Sequence, residues 1–125
     1  MYKRQLQKYP EYEQEVKVPE KVWPLRIWYM YDQDVCTLID VNERERKVKI
    51  KNYTDKIMFR AFGVMEEPDY NQYIEFLESR CFPESRDKMK LILKDLGLPF
   101  YDPIMIIEKT EGRMAEDDFW IRIER

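Results

Sequence analysis

Two arginines, Arg80 and Arg86, stand in the stretch ESRCFPESRDKM at 78–89, where Glu-Ser-Arg occurs on either side of Cys-Phe-Pro. Two guanidiniums near one helix start can hold a phosphate or carboxylate with paired hydrogen bonds. The same residues also have a structural use. A helix usually ends before the residue that precedes a proline, so Phe82 is expected outside a first helix, as the plug of a corner, with Pro83 opening a second. Arg80 then meets the carbonyl end of the first helix, which suits a cation. Arg86 falls in a first turn, where a cation is unfavourable, and needs an anion to explain it. The spacing predicts that Arg86 lies within hydrogen-bonding reach of Asp117 or another carboxylate at 116–118. A corner with salt bridges outweighs a ligand grip, because paired structural arginines are common.

Those carboxylates belong to GRMAEDDFW at 112–120, where Glu116, Asp117 and Asp118 lie near Arg113 and Trp120. They lack the spacing of a calcium loop. The reading preferred is a turn in which one carboxylate caps a backbone amide and another pairs with Arg80 or Arg86. A third charged feature is Glu66, Glu67 and Asp69, a negative face that could imitate nucleic-acid phosphates toward a basic partner. A fourth is Lys47, Lys49 and Lys51 with Arg44 and Arg46, a basic strand face without aromatic residues between the lysines, read as solvated.

The chain must position these groups with one core. Its 125 residues are 44% hydrophobic and 38% charged, the size of one domain. With 22 basic and 25 acidic residues the net charge is −3, a poor match for nucleic-acid phosphates. There is no histidine, so neither Ser-His-Asp nor Cys-His catalysis can be built from this sequence. Cys36 and Cys81 do not make a zinc set. The polar first residues predict neither a signal peptide nor an anchor, and no apolar run approaches the roughly 20 residues of a membrane span. The expectation is a cytoplasmic chain with two reduced, mostly buried thiols.

Strands are expected at 25–32, 34–41 and 46–52 as a meander, with a turn opened by Asn42 and an edge strand at 11–18. Helices follow: one capped by Asp69 with Tyr70, Tyr73, Ile74 and Leu77 on one face, one at 84–96 stopped by Gly97, and one opened by Asp102-Pro103 and ended by Gly112. A last strand at 118–124 puts Phe119, Ile121 and Ile123 on one face and Trp120 and Arg122 on the other. The class is α+β: an antiparallel sheet of three to five strands, an N-terminal meander plus a C-terminal strand, covered on one side by about three helices. A single domain spans 1–125, with 1–10 as a candidate disordered tail.

The pattern Arg80-x-x-Pro83-x-x-Arg86, a helix, then Gly112 and Asp117-x-x-Trp120-Ile121 resembles small proteins of Gram-positive gut bacteria and their mobile elements. It also resembles the segment before the kinase domain of some HipA-like proteins. The resemblance covers roughly the C-terminal two-fifths and implies that Arg80, Pro83, Arg86, Asp117 and Trp120 form one unit. It implies an accessory or regulatory module and not a kinase, since neither a phosphate loop nor a metal-binding Asp motif is visible. The expectation is a non-catalytic interaction or regulatory protein of bacterial or mobile-element origin, without cofactor or metal, that binds a protein partner. The interaction candidates are Glu66, Glu67, Asp69, Arg80, Arg86, Arg113, Asp117 and Trp120. One specific form is an inhibitor of a host defence nuclease. The alternative is a nucleic-acid-binding regulator using Lys47, Lys49, Lys51, Arg80 and Arg86.

Overall fold

The structure is a computed structural model that describes residues 18–125. Leu25-Arg26-Ile27-Trp28 and Leu38-Ile39-Asp40-Val41 belong to runs rich in β-branched and aromatic types, which fit a pleated, buried surface. They form β1 (Leu25–Tyr31) and β2 (Asp34–Asn42), followed by β3 (Lys47–Asn52) and, at the end of the chain, β4 (Phe119–Glu124). All pairs are antiparallel and the strand order is β3-β2-β1-β4. The C-terminal strand therefore rejoins the sheet beside β1. The candidate tail at 1–10 and the candidate edge strand at 11–18, apart from Val18, lie outside the described residues.

Local chemistry sets the turns. The Asn42 side chain accepts a hydrogen bond from the Glu45 amide at 3.1 Å, closing the β2–β3 hairpin. A bulge opposite Tyr29 inserts Cys36 into β2, so Cys36 packs with the cluster on the helix side while Val35 packs on the opposite face.

Three helices follow: α1 (Tyr70–Ser79), α2 (Met89–Leu96) and α3 (Pro103–Thr110). Asp69 and Gln72 cap α1 reciprocally, each side chain bonding the other's amide at 2.8 Å. Asp102 accepts from the Ile104 amide at 3.0 Å, and Pro103 opens α3. Gly97 ends α2 in the left-handed conformation. Helices α1 and α3 lay Tyr73, Phe76, Leu77, Ile104 and Ile107 on Leu25, Ile27, Ile39, Val41 and Ile121. Burying each such side chain contributes about 1.5–3 kcal/mol.

Helix α2 corrects one expectation: it starts at Met89 instead of 84. It packs through Leu93 against Leu98 and Ile106. Residues 84–87 (Glu, Ser, Arg, Asp) offer no apolar face, and a short helix without packing is not stable. Pro83 therefore opens a turn and not a helix, with the Arg86 amide bonded to the Pro83 carbonyl at 3.0 Å. Lys88, left-handed at φ 63°, re-aims the chain into α2.

The face of the sheet away from the helices is also buried. Trp28, Met30, Val35, Leu38 and Trp120 form a second cluster, with Val18 and Tyr53 against it. Across it Arg26 and Asp40 face each other in register and make a buried bidentate pair at 2.7 and 3.0 Å.

Candidate functional site

The C-terminal end of α1 and the segment between α3 and β4 meet at one corner. Arg80 is the C-terminal cap of α1 and its side chain is 7% exposed. Its Nε donates to the Gly112 carbonyl at 3.0 Å. Its Nη1 and Nη2 donate to the two oxygens of Asp117 at 3.0 Å each, and Nη2 also donates to the Phe119 carbonyl at 3.1 Å. Four donor contacts are thus spent inside the protein, and no fork is left to hold an outside anion. Asp117 does two jobs: one of its oxygens also accepts the Phe119 amide at 3.0 Å. The Arg80 hydrogen bonds hold the Asp117 carboxyl below its ordinary value of 3.8, against the opposing pull of burial.

The expected Arg86–carboxylate contact does not form. Arg80 occupies Asp117, and the turn at 83–88 carries Arg86 outward. Arg86 is exposed, its guanidinium stands over the Phe82 ring at 5.8 Å, and it has no ion pair among the described residues. Since 84–87 is not helical, the unfavourable helix-start position that called for an anion does not exist either.

Phe82 does plug the corner. It packs with Leu93, Leu98 and Ile106, and its carbonyl accepts the Tyr101 hydroxyl at 2.9 Å. Beside it opens a cavity of about 320 Å³. Its apolar wall includes Cys81, Phe82, Ile106 and Met114, and Arg86, Arg113 and Glu116 stand on it as charges. The Cys81 thiol lies 3.6 Å from the Pro103 carbonyl, and burial, helped by Glu78 and Asp102, pushes it up to about 12. A thiol so raised stays protonated at neutral pH and is a poor nucleophile. This arrangement can seat an apolar side chain and offer it a charged neighbour.

The remaining candidates divide. Arg113 pairs with Glu111 at 2.8 Å and stacks over Trp120 at 5.0 Å. Trp120 is buried and donates its indole N–H to the Asp32 carbonyl at 2.7 Å. Trp120 therefore supports Arg113 from below but does not line the cavity. Glu66, Glu67 and Asp69 are exposed and lie in the segment leading into α1, and none of them lines the corner cavity. Asp69 is committed to capping. Among the described residues no group of three or more Cys, Asp or Glu side chains could hold a metal ion.

Sequence reasoning passed over two features. Arg26–Asp40 is one; β1 and β2 are apolar on both faces around them, which marks strands buried on both sides, and one interior charge of each sign in these strands was the available signal. The segment 56–65 is the other. The lysines of β3 are exposed as expected, and rings stand beside them in space: Lys49 lies over the Trp23 ring at 4.6 Å and Lys51 over the Tyr53 ring at 5.4 Å, although no aromatic separates the lysines in sequence.

No protein-family model, curated protein or solved structure matches the chain.

Proposed function

We propose that this chain is a non-catalytic protein-binding module with a regulatory role, and that its corner cavity receives an apolar side chain of the partner next to a carboxylate answered by Arg86. The observation that carries this reading is Arg86 itself. It is an exposed guanidinium, without a carboxylate partner among the described residues, on the wall of a partly apolar cavity. Arginine beside an aromatic or apolar anchor is the usual makeup of an energetic centre in an interface. The thiols, Cys36 buried and Cys81 partly so, are both held protonated, and together with the lack of histidine this favours binding over catalysis. An inhibitor of a defence nuclease by charge imitation is a narrower form of the same reading, and would rely on Glu66 and Glu67.

The test is affinity capture with the full chain from a bacterial lysate, followed by reconstitution of the captured protein from purified components. Arg86→Glu should weaken the reconstituted complex by about tenfold or more, the scale of one lost charge-assisted contact. An unchanged affinity would remove the corner from the interface.

Nucleic-acid binding is the second reading, supported by the lysine stripe with its neighbouring rings. It keeps Lys47, Lys49, Lys51 and Arg86 but loses Arg80, whose donors are taken. It requires binding to a mixed-sequence oligonucleotide that falls steeply with salt.

A further inference from the structure

The loop between β3 and α1 is apolar on both of its sides. Inward, the Phe59 ring meets Tyr31 at 4.8 Å and Phe119 at 5.4 Å, and Phe62 meets Phe76 at 5.4 Å. The Ala61 amide donates to the Thr37 hydroxyl at 3.0 Å. Consecutive turns close on themselves, with Arg60 bonded to Ile57 and Met65 to Phe62. Ile57 comes within 3.8 Å of where a Cβ at Gly63 would stand, so the start and end of the loop touch. Outward, Ile57 is 46% exposed, Met58 91%, Val64 72% and Met65 38%. Single exposed apolar residues are ordinary on a protein surface. Four within nine residues, fixed from beneath by the half-buried Phe59, Ala61 and Phe62, form a presented surface and not a frayed loop.

We propose that residues 57–67 are a docking surface for a protein partner whose own contact surface is apolar and rimmed by lysine or arginine. Two exposed carboxylates set the sign of the partner's rim. Glu66 and Glu67 directly follow the patch, are exposed, and have no ion pair among the described residues. The cation at the other end, Lys56, lies over the Phe59 ring at 5.4 Å. A second copy of this chain is the competing occupant, since a two-fold contact across the patch would set Glu66 and Glu67 against the other copy's Lys56, and self-association would reveal it. Methionine suits the role, since its flexible thioether adapts to the surface it meets. This surface shares no residue with the corner cavity and stands or falls apart from it.

The test uses the folded full chain to select from a displayed library of random peptides. The expected winners carry large apolar residues flanked by Lys or Arg. Their affinity should fall about tenfold or more with Met58→Asp/Val64→Asp, and several-fold with Glu66→Lys/Glu67→Lys, the scale of an anchor and of a rim charge. Arg86→Ala should leave it unchanged. Winners without basic flanks, winners indifferent to Met58→Asp/Val64→Asp, or no winners at all overturn the proposal. So does sedimentation showing self-association that Met58→Asp/Val64→Asp abolishes, which would make a second copy the occupant. Unchanged thermal melting of each variant certifies that the fold survives.

Discussion

Glu78-Ser79-Arg80 and Glu84-Ser85-Arg86 are the same tripeptide six positions apart, and the fold uses them in opposite ways. The first closes a helix whose apolar face is locked to the sheet, so its arginine is delivered to a fixed point and buried among four acceptor contacts. The second follows Pro83 in a stretch with nothing apolar to bury, so its arginine leaves the body of the protein. A side chain's chemistry is the same in both copies; the backbone that carries it decides whether it becomes an internal tie or an exposed charge.

The largest test of that contrast is Arg80→Ala. It strips a carboxylate and two carbonyls of their donor at once. Breaking a pair buried on the arginine side and partly exposed on the carboxylate side costs about 2–4 kcal/mol, a large part of the roughly 5–15 kcal/mol that hold a domain together. Urea unfolding at neutral pH reads the loss. A cost below about 1 kcal/mol would show that Arg80 is not the tie described here.

Asp117→Asn attacks the same tie from the other end. We expect about 2 kcal/mol at neutral pH, since one neutral contact remains possible. The pH dependence sharpens it. The folded carboxyl titrates below 3.8 and the unfolded one near 3.8, so its contribution is fully present above that value and is lost as pH falls through the folded one. The gap in stability between wild type and Asp117→Asn should therefore narrow on acidification in chemical unfolding from pH 6 toward the acid limit. A gap that stays constant would detach the charge of Asp117 from the tie.

Gly112→Ala is a smaller disturbance at the same junction. Gly112 sits at φ +61°, and a Cβ there would approach Ile121 to 3.1 Å and Arg80 to 3.5 Å. The backbone strain and the contact together should cost about 1–2 kcal/mol by thermal or chemical unfolding. A neutral result would mean that the carbonyl received by Arg80 can move without loss.

What could be read from the sequence follows the range of the forces involved. Asp69 with Gln72, Asp102-Pro103, Asn42 and Gly97 act within a few residues, and each appears in the role its type and neighbours indicate. The alternation of 119–123 likewise placed Phe119, Ile121 and Ile123 on the helix side. The choice between Arg80 and Arg86 for Asp117 was not legible. Both are cations at similar separation from it, and the answer depends on where α1 ends in three dimensions. The helix expected at 84–96 failed for a related reason. Periodicity at Met89, Ile92, Leu93 and Leu96 is real, but it says nothing about a preceding polar turn that has no surface to pack on. The apolar loop at 57–65 follows neither a helical nor a strand period, because both of its faces are apolar and its turns are irregular.

Arg86→Ala completes the contrast with the smallest effect on the fold. The side chain gives up a stacking contact with Phe82 at 5.8 Å in an exposed setting, and surface substitutions of this kind fall within about 0.5 kcal/mol of neutral. Urea midpoints of Arg86→Ala and wild type should therefore coincide, while Arg80→Ala is far displaced. The two variants then separate stability from binding. If Arg86 is a handle, its removal leaves the melting curve alone and weakens the partner. If Arg86→Ala instead destabilises as much as Arg80→Ala, the second tripeptide is a structural tie as well, and the corner loses its claim to face outward.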